Sequence, residues 1–237
     1  MKSNKSRRAG AASALLCALG LIALTLCGLL TGLEHVFLDP GRYTALMDAL
    51  NVYPDVGISR EEQILINGDL ADYLAGRIDS LDRPVTLRGE AVPSPFNDRE
   101  KAHMVDVRRL FDTGRALRMG ALIAGVLFAA AGAMLGPRRA RSRGVVAALA
   151  VVTLIGAAAA LMAPHIDFDV LFTRFHHLLF TNDLWLLDPA TDAMIRMLPE
   201  AFFEGMAFQG LIAALIGGAA AFALGAALIL IPERIKK

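Results

Sequence analysis

The chain has 237 residues, 55% of them hydrophobic, and a mean hydropathy of +0.50. A soluble domain of this size does not carry so much apolar surface, so the composition excludes an ordinary soluble enzyme or binding module and points to a membrane protein of several spans. The net charge of +1, from 24 Lys and Arg against 23 Asp and Glu, says little until the charges are placed along the chain.

A basic N-terminus, residues 1–10 with Lys2, Lys5, Arg7 and Arg8, precedes the first of four uncharged runs: 11–33, 119–136, 144–164 and 205–232. They hold 23, 18, 21 and 28 residues, enough for a helix rising about 1.5 Å per residue to cross about 30 Å of hydrocarbon, which takes roughly 17 to 25. The first run exceeds the roughly 7 to 15 apolar residues of a signal peptide and lacks an A-x-A site, so a retained anchor is expected. Leu24-Thr25-Leu26-Cys27 resembles a lipoprotein processing box, but Leu26 stands where such a box needs a small residue. Cys17 and Cys27 both fall inside this run; they give no disulfide framework and are expected as small packing residues.

The short loop 137–143 holds Arg138, Arg139, Arg141 and Arg143, and the tail 233–237 holds Arg234, Lys236 and Lys237. In a four-span chain these fall on the same side as the basic N-terminus, which the positive-inside rule makes cytoplasmic. The segments 34–115 and 165–204, on the other side, carry 22 Asp or Glu against 12 Lys or Arg. The expected fold is therefore an all-α membrane protein with four transmembrane helices, both termini cytoplasmic, a helical extracytoplasmic cap over 34–118 and a second outer or re-entrant segment over 165–204. Gly132 and Gly136, and Gly217, Ala221 and Gly225, form small-residue stripes suited to close helix packing. The spans carry no charge, which argues against a pump or channel.

Within the cap, Ser59-Arg60-Glu61-Glu62 matches a capping box, and the apolar spacing from Ile64 to Leu74 predicts a helix ending at Gly76. Pro84 to Gly89 reads as a short strand or extended link. Asn97-Asp98-Arg99-Glu100 is a second capping signature, and Met104, Val107, Leu110, Phe111 and Leu117 continue a helical stripe unbroken into the second span. On that helix Glu100, His103, Asp106 and Val107 share a face. In the second outer segment Phe172, Phe175, Leu178, Leu179 and Phe180 surround His176 and His177, with Trp185 suited to the headgroup level, an interfacial or re-entrant pattern. Asp188-Pro189 marks a turn, and a short surface helix is expected between Thr191 and Phe203.

All five histidines, His35, His103, His165, His176 and His177, lie in these outer segments. A metal site would have to draw on His103, His165, His176 and an aspartate. Adjacent His176 and His177 point about 100° apart on a helix and do not chelate together, and there is no H-E-x-x-H, so no metal is expected. Nor is there a G-x-S-x-G nucleophile elbow. What remains is general acid and base catalysis by histidine.

Phe175-His176, Phe180, Asn182, Trp185, Asp188-Pro189, Asp192, Ile195, Leu198-Pro199-Glu200 and Phe202-Phe203 stand out together with Glu100, His103-Met104 and Asp106-Val107. This pattern resembles that of the lipoprotein intramolecular transacylases, the Lit family of bacterial membrane proteins, which also have four spans with both ends inside. The resemblance implies an acyl migration in which a diacylglyceryl-modified N-terminal cysteine passes an ester-linked acyl chain from its glycerol to its own α-amino group. It implies His103 and His176 as the catalytic pair, the diacylated lipoprotein N-terminus as substrate, membrane lipid as surroundings, and no cofactor or nucleic acid. Glu100 or Asp106 is then a candidate to orient His103. Asn182, Trp185 or a backbone amide is a candidate oxyanion donor, and Asp188 a further orienting or substrate-binding candidate. Two other readings stand beside it: a non-catalytic membrane scaffold or sensor, and a metal-dependent lipid hydrolase.

Overall fold

The computed structural model describes residues 2–162 and 167–231. His165, Arg234, Lys236 and Lys237, used above for the ligand pool and the charge pattern, lie outside the described residues. Nine helices are described: α1 (Lys2–Phe37), α2 (Pro40–Leu50), α3 (Tyr53–Val56), α4 (Arg60–Leu74), α5 (Asp98–Leu135), α6 (Arg138–Met162), α7 (Phe168–Leu179), α8 (Ala193–Met197) and α9 (Glu200–Leu230). Four of them, α1, α5, α6 and α9, are long and apolar enough to cross a membrane. The fold is nearly all-α. The departure from the all-α expectation is a hairpin of two three-residue strands, β1 (Val85–Leu87) and β2 (Glu90–Val92). Its two-residue turn places Arg88 at φ 53° and Gly89 at φ 85°, the left-handed pair that matches the twist of a tight hairpin.

The chain divides into two units. The first comprises the described residues of 1–32, 115–166 and 213–237. Its packing depends on absent side chains: a Cβ built on Gly28 would collide with the carbonyl oxygen of Gly217, and one built on Gly217 with that of Gly28. Helices α1 and α9 thus touch backbone to backbone, as the small-residue stripe requires. Nearer the start of α1, Ser13 donates from Oγ to the carbonyl of Gly132 on α5, 2.7 Å away. Large side chains such as Leu127, Met134, Leu154 and Leu224 point outward, where a soluble protein would place polar groups.

The second unit comprises 33–114 and 167–212. Here α2 packs on α4 and α3 on α8. Ser59 caps α4 as its sequence predicts, its Oγ accepting from the amide of Glu62. Glu62 in turn accepts from the amide of Thr86 at 2.8 Å, which fixes the hairpin to the start of α4. Helix α5 runs unbroken from Asp98 into the apolar stretch, as the stripe predicts. The surface helix expected between Thr191 and Phe203 is only the five-residue α8, and α9 begins at Glu200, ahead of the apolar run. Pro199 is the reason: it lacks the N–H that would continue α8, while its carbonyl accepts from the amides of Phe202 and Phe203 to open α9.

Candidate active site

The site belongs to the second unit and is assembled by the first turn of α5. Asn97 and Glu100 cap each other: Asn97 Oδ1 accepts from the Glu100 amide at 3.0 Å, and Glu100 Oε2 accepts from the Asn97 amide at 2.7 Å. The same two side chains reach a segment more than ninety residues later. Glu100 Oε1 accepts from the amide of Met194 at 2.6 Å, and Asn97 Nδ2 donates to Asp192 Oδ1 at 2.8 Å. Asp192 closes its own loop by accepting from the Asp188 amide at 2.7 Å. Arg99 donates to the carbonyls of Asp183 and Leu186, and Asn182 Nδ2 donates to Asp106 Oδ2 at 2.8 Å. These bonds hold the loop after α7 along the first turns of α5.

One turn beyond Glu100, His103 meets His176 of α7, with 6.1 Å between ring centroids. Both are buried, at 8% and 7% exposure. His176 sits among aromatic rings: Phe172 at 4.2 Å, Trp185 stacked at 4.7 Å and Phe180 at 5.7 Å; Phe180 also meets His103 edge-on at 5.3 Å. His177 is exposed and touches the edge of Trp185. The carbonyl of Phe172 lies 2.7 Å from His176 Nδ1. A carbonyl only accepts, so Nδ1 carries the proton and Nε2 is left with the lone pair.

Burial, the first cause, and the neighbouring His176 depress the pKa of His103 to about 4, against a smaller opposing effect of Asp106. Burial also lowers that of His176, opposed by its bond to the Phe172 carbonyl. Both imidazoles are therefore neutral at pH 7. Burial raises the pKa of Glu100, against the backbone amides that favour its charged form.

The two histidines lie in the wall of one chamber of about 310 Å³, otherwise lined by apolar side chains and Tyr43. Tyr43 donates its hydroxyl to the carbonyl of Phe37, so it offers no open donor to the chamber. Among the described residues, no three of His, Cys, Asp and Glu come together as a metal site.

The sequence-predicted residues thus fall into three sets. His103, His176 and Trp185 come together. Glu100 and Asp106 do not bond to His103; the first holds backbone amides, and the second holds Asn182 and Arg109. Asp188 serves its own turn, accepting from the Ala190 amide. Sequence reasoning passed over the Phe172 carbonyl, for which no side-chain signal exists, and the part played by Asn97 and Asp192, for which the capping pattern and the neighbouring Asp188-Pro189 turn were partial signals.

Residues 18–203 match the profile of the family described as lipoprotein intramolecular transacylase Lit. The chain belongs to that family. Its fold is similar to a solved structure of the membrane integral lipoprotein intramolecular transacylase Lit from Bacillus cereus, with a TM-score of 0.65 and 21% identity, covering 99% of this chain and 100% of that one. A variant of the same Bacillus cereus protein with a histidine substitution gives a TM-score of 0.61 at 19% identity, covering 100% and 96%. No curated protein matches by sequence. The chain is accordingly a membrane protein and an acyltransferase of the Lit family.

Proposed function

We propose that this Lit-family chain moves an ester-linked acyl chain from the diacylglyceryl group of a lipoprotein N-terminal cysteine to the α-amino group of the same cysteine, leaving an N-acyl, S-monoacylglyceryl lipoprotein. The observation that carries the proposal is the pair of buried, neutral histidines facing each other across one wall of an apolar chamber. An α-ammonium group has a pKa of about 7.7 to 8.0 and attacks an ester only after losing a proton. His176 is oriented for that task, because its bond to Phe172 leaves Nε2 free to accept. As the new C–N bond forms, the amine nitrogen gives one proton to neutral His176, which passes it to neutral His103; as the ester C–O bond breaks, protonated His103 gives it to the glycerol oxygen, and both imidazoles end neutral. The depressed pKa of His103 makes its protonated form a strong donor. The buried indole N–H of Trp185, which has no hydrogen-bond partner, is the side-chain donor proposed for the oxyanion.

Both reacting groups belong to one molecule, so confinement supplies much of the acceleration by raising their effective concentration. The proposal includes the topology: both termini and the 137–143 loop cytoplasmic, and the segments 34–118 and 165–204, hence the histidines, on the outer face of a bacterial plasma membrane.

Mass spectrometry of lipoprotein N-termini tests this, in cells that make diacylated lipoproteins and express this chain. The lyso, N-acylated peptide is expected with the wild type, and a loss of roughly 10²-fold or more with His103→Ala and with His176→Ala. Activity that persists in both variants overturns the histidine mechanism. A metal chelator is expected to leave the activity of purified protein unchanged; its abolition would favour metal-dependent hydrolysis instead.

A further inference from the structure

Half of the residues lining the chamber are buried, with Leu70 1% exposed and Phe202 2%, and Leu74, Met104, Met194 and Leu198 buried as well. Others, such as Phe172 and Phe203, are half-buried, and three are exposed. Leu171 is 45% exposed and Phe175 44%, both on α7, and Ala207 on α9 is exposed. The two helices touch at Phe172 and Phe203, whose ring centroids are 5.3 Å apart. Beside that contact, the same side chains face the chamber and the exterior. The exterior there is largely apolar: Val170, Leu178 and Leu179 continue it on α7, with Leu178 83% exposed, and Phe208 and Leu211 continue it on α9, while the exposed Arg174 and Glu204 stand on the same two helices.

We infer that α7 and α9 frame a lateral doorway, marked by Leu171, Phe175 and Ala207, through which the hydrocarbon chain of a membrane-held substrate passes into the chamber. The inference rests on the transacylase reading for the identity of that chain. The three doorway residues are themselves apolar, so a hydrocarbon tail passes between them without stripping water from a polar group, and gains apolar contact along Leu110, Phe111 and Leu74 once inside. The head of the substrate then reaches His103 and His176 while its tail still threads the doorway.

Ala207 is the position to obstruct, because it is small and its side chain supports nothing buried. Purified protein in lipid vesicles, supplied with a diacylglyceryl-cysteine peptide bearing sixteen-carbon chains, should lose at least tenfold in kcat/KM with Ala207→Trp. Ala207→Ser should be near wild type, and Leu215→Trp, an exposed position two turns along α9, should be unaffected. Thermal unfolding should be the same for all three. Independently, a substrate analogue with a photoreactive group midway along its acyl chain should label the peptide containing Leu171 and Phe175 in the His103→Ala protein, where no turnover intervenes. Full activity of a folded Ala207→Trp protein, or labelling confined to other segments, overturns the doorway. Undiminished turnover by the two histidine variants, with Ala207→Trp still blocking it, overturns the catalytic assignment and leaves the doorway standing.

Discussion

A buried imidazole is useful as a base only if its lone pair is held open, and at His176 a main-chain carbonyl does this. Because Nδ1 is committed to Phe172, the ring has one orientation and one tautomer, and Trp185 stacked on its face holds the plane. Burial has a second effect, on stability. The folded pKa of His103 is about 4, below the ordinary 6.5, so above about pH 6.5 folded and unfolded chains both hold the ring neutral. Between pH 6.5 and 4 only the unfolded chain takes up the proton. Stability is therefore lost as pH falls through this window, by on the order of 3 kcal/mol at its acid end. The shift at His176 has the same direction. His103→Gln removes one titrating ring while keeping its polarity, so its unfolding temperature in detergent should fall less steeply than that of the wild type between pH 7 and 4.5. Parallel curves for the two proteins would show that His103 is not buried as described.

The element that organises the site is the N-terminus of α5, and its sequence pattern was readable while its second use was not. Asn97-Asp98-Arg99-Glu100 announces a helix start, because Asn and Glu three residues apart satisfy each other's amides. A carboxylate has two oxygens, however, and the second oxygen of Glu100 takes the amide of Met194. Nothing local to either segment encodes that partnership, so Glu100 read naturally as a partner for His103, one turn away on the same face. The same limit explains α8: Pro199 was visible as a break, but the start of α9 at Glu200 depends on which carbonyls Pro199 offers once α8 stops. The hairpin was visible only as an extended stretch, since Arg88 at a left-handed position gives no turn signature comparable to Asn-Gly. Glu100→Ala should lose two hydrogen bonds and leave the buried amide of Met194 and the part-buried amide of Asn97 without their partner, destabilising the protein by roughly 2 to 3 kcal/mol. Its unfolding temperature should drop by several degrees, and activity should fall even in the cold, where the protein remains folded. Unchanged stability would mean that the clasp contributes little.

For the whole molecule, the four apolar runs and the positions of the arginines and lysines were the strongest signals in the chain, because a membrane tests every residue of a span against one solvent. Periodicity and charge are enough to find α1, α5, α6 and α9, and Gly217, where α9 touches α1, stood out by its spacing, whereas its partner Gly28 carried no such pattern. The approach of His103 to His176 was legible only through family resemblance, since 73 residues separate them and no pattern within either helix refers to the other. The proposed orientation rests on charge: the cost of moving Lys and Arg across the bilayer favours residues 1–10 and 137–143 on the cytoplasmic side and the acidic segments outside. Two exposed serines separate the alternatives, Ser6 in the basic N-terminus and Ser80 between α4 and the hairpin. In intact cells a membrane-impermeant maleimide should label Ser80→Cys and should reach Ser6→Cys only after permeabilisation. The native Cys17 is buried and Cys27 half-buried within the apolar part of α1, so neither should contribute background. Labelling of Ser6→Cys in intact cells would invert the topology and place the histidines on the cytoplasmic face, where a mature lipoprotein N-terminus does not reach them.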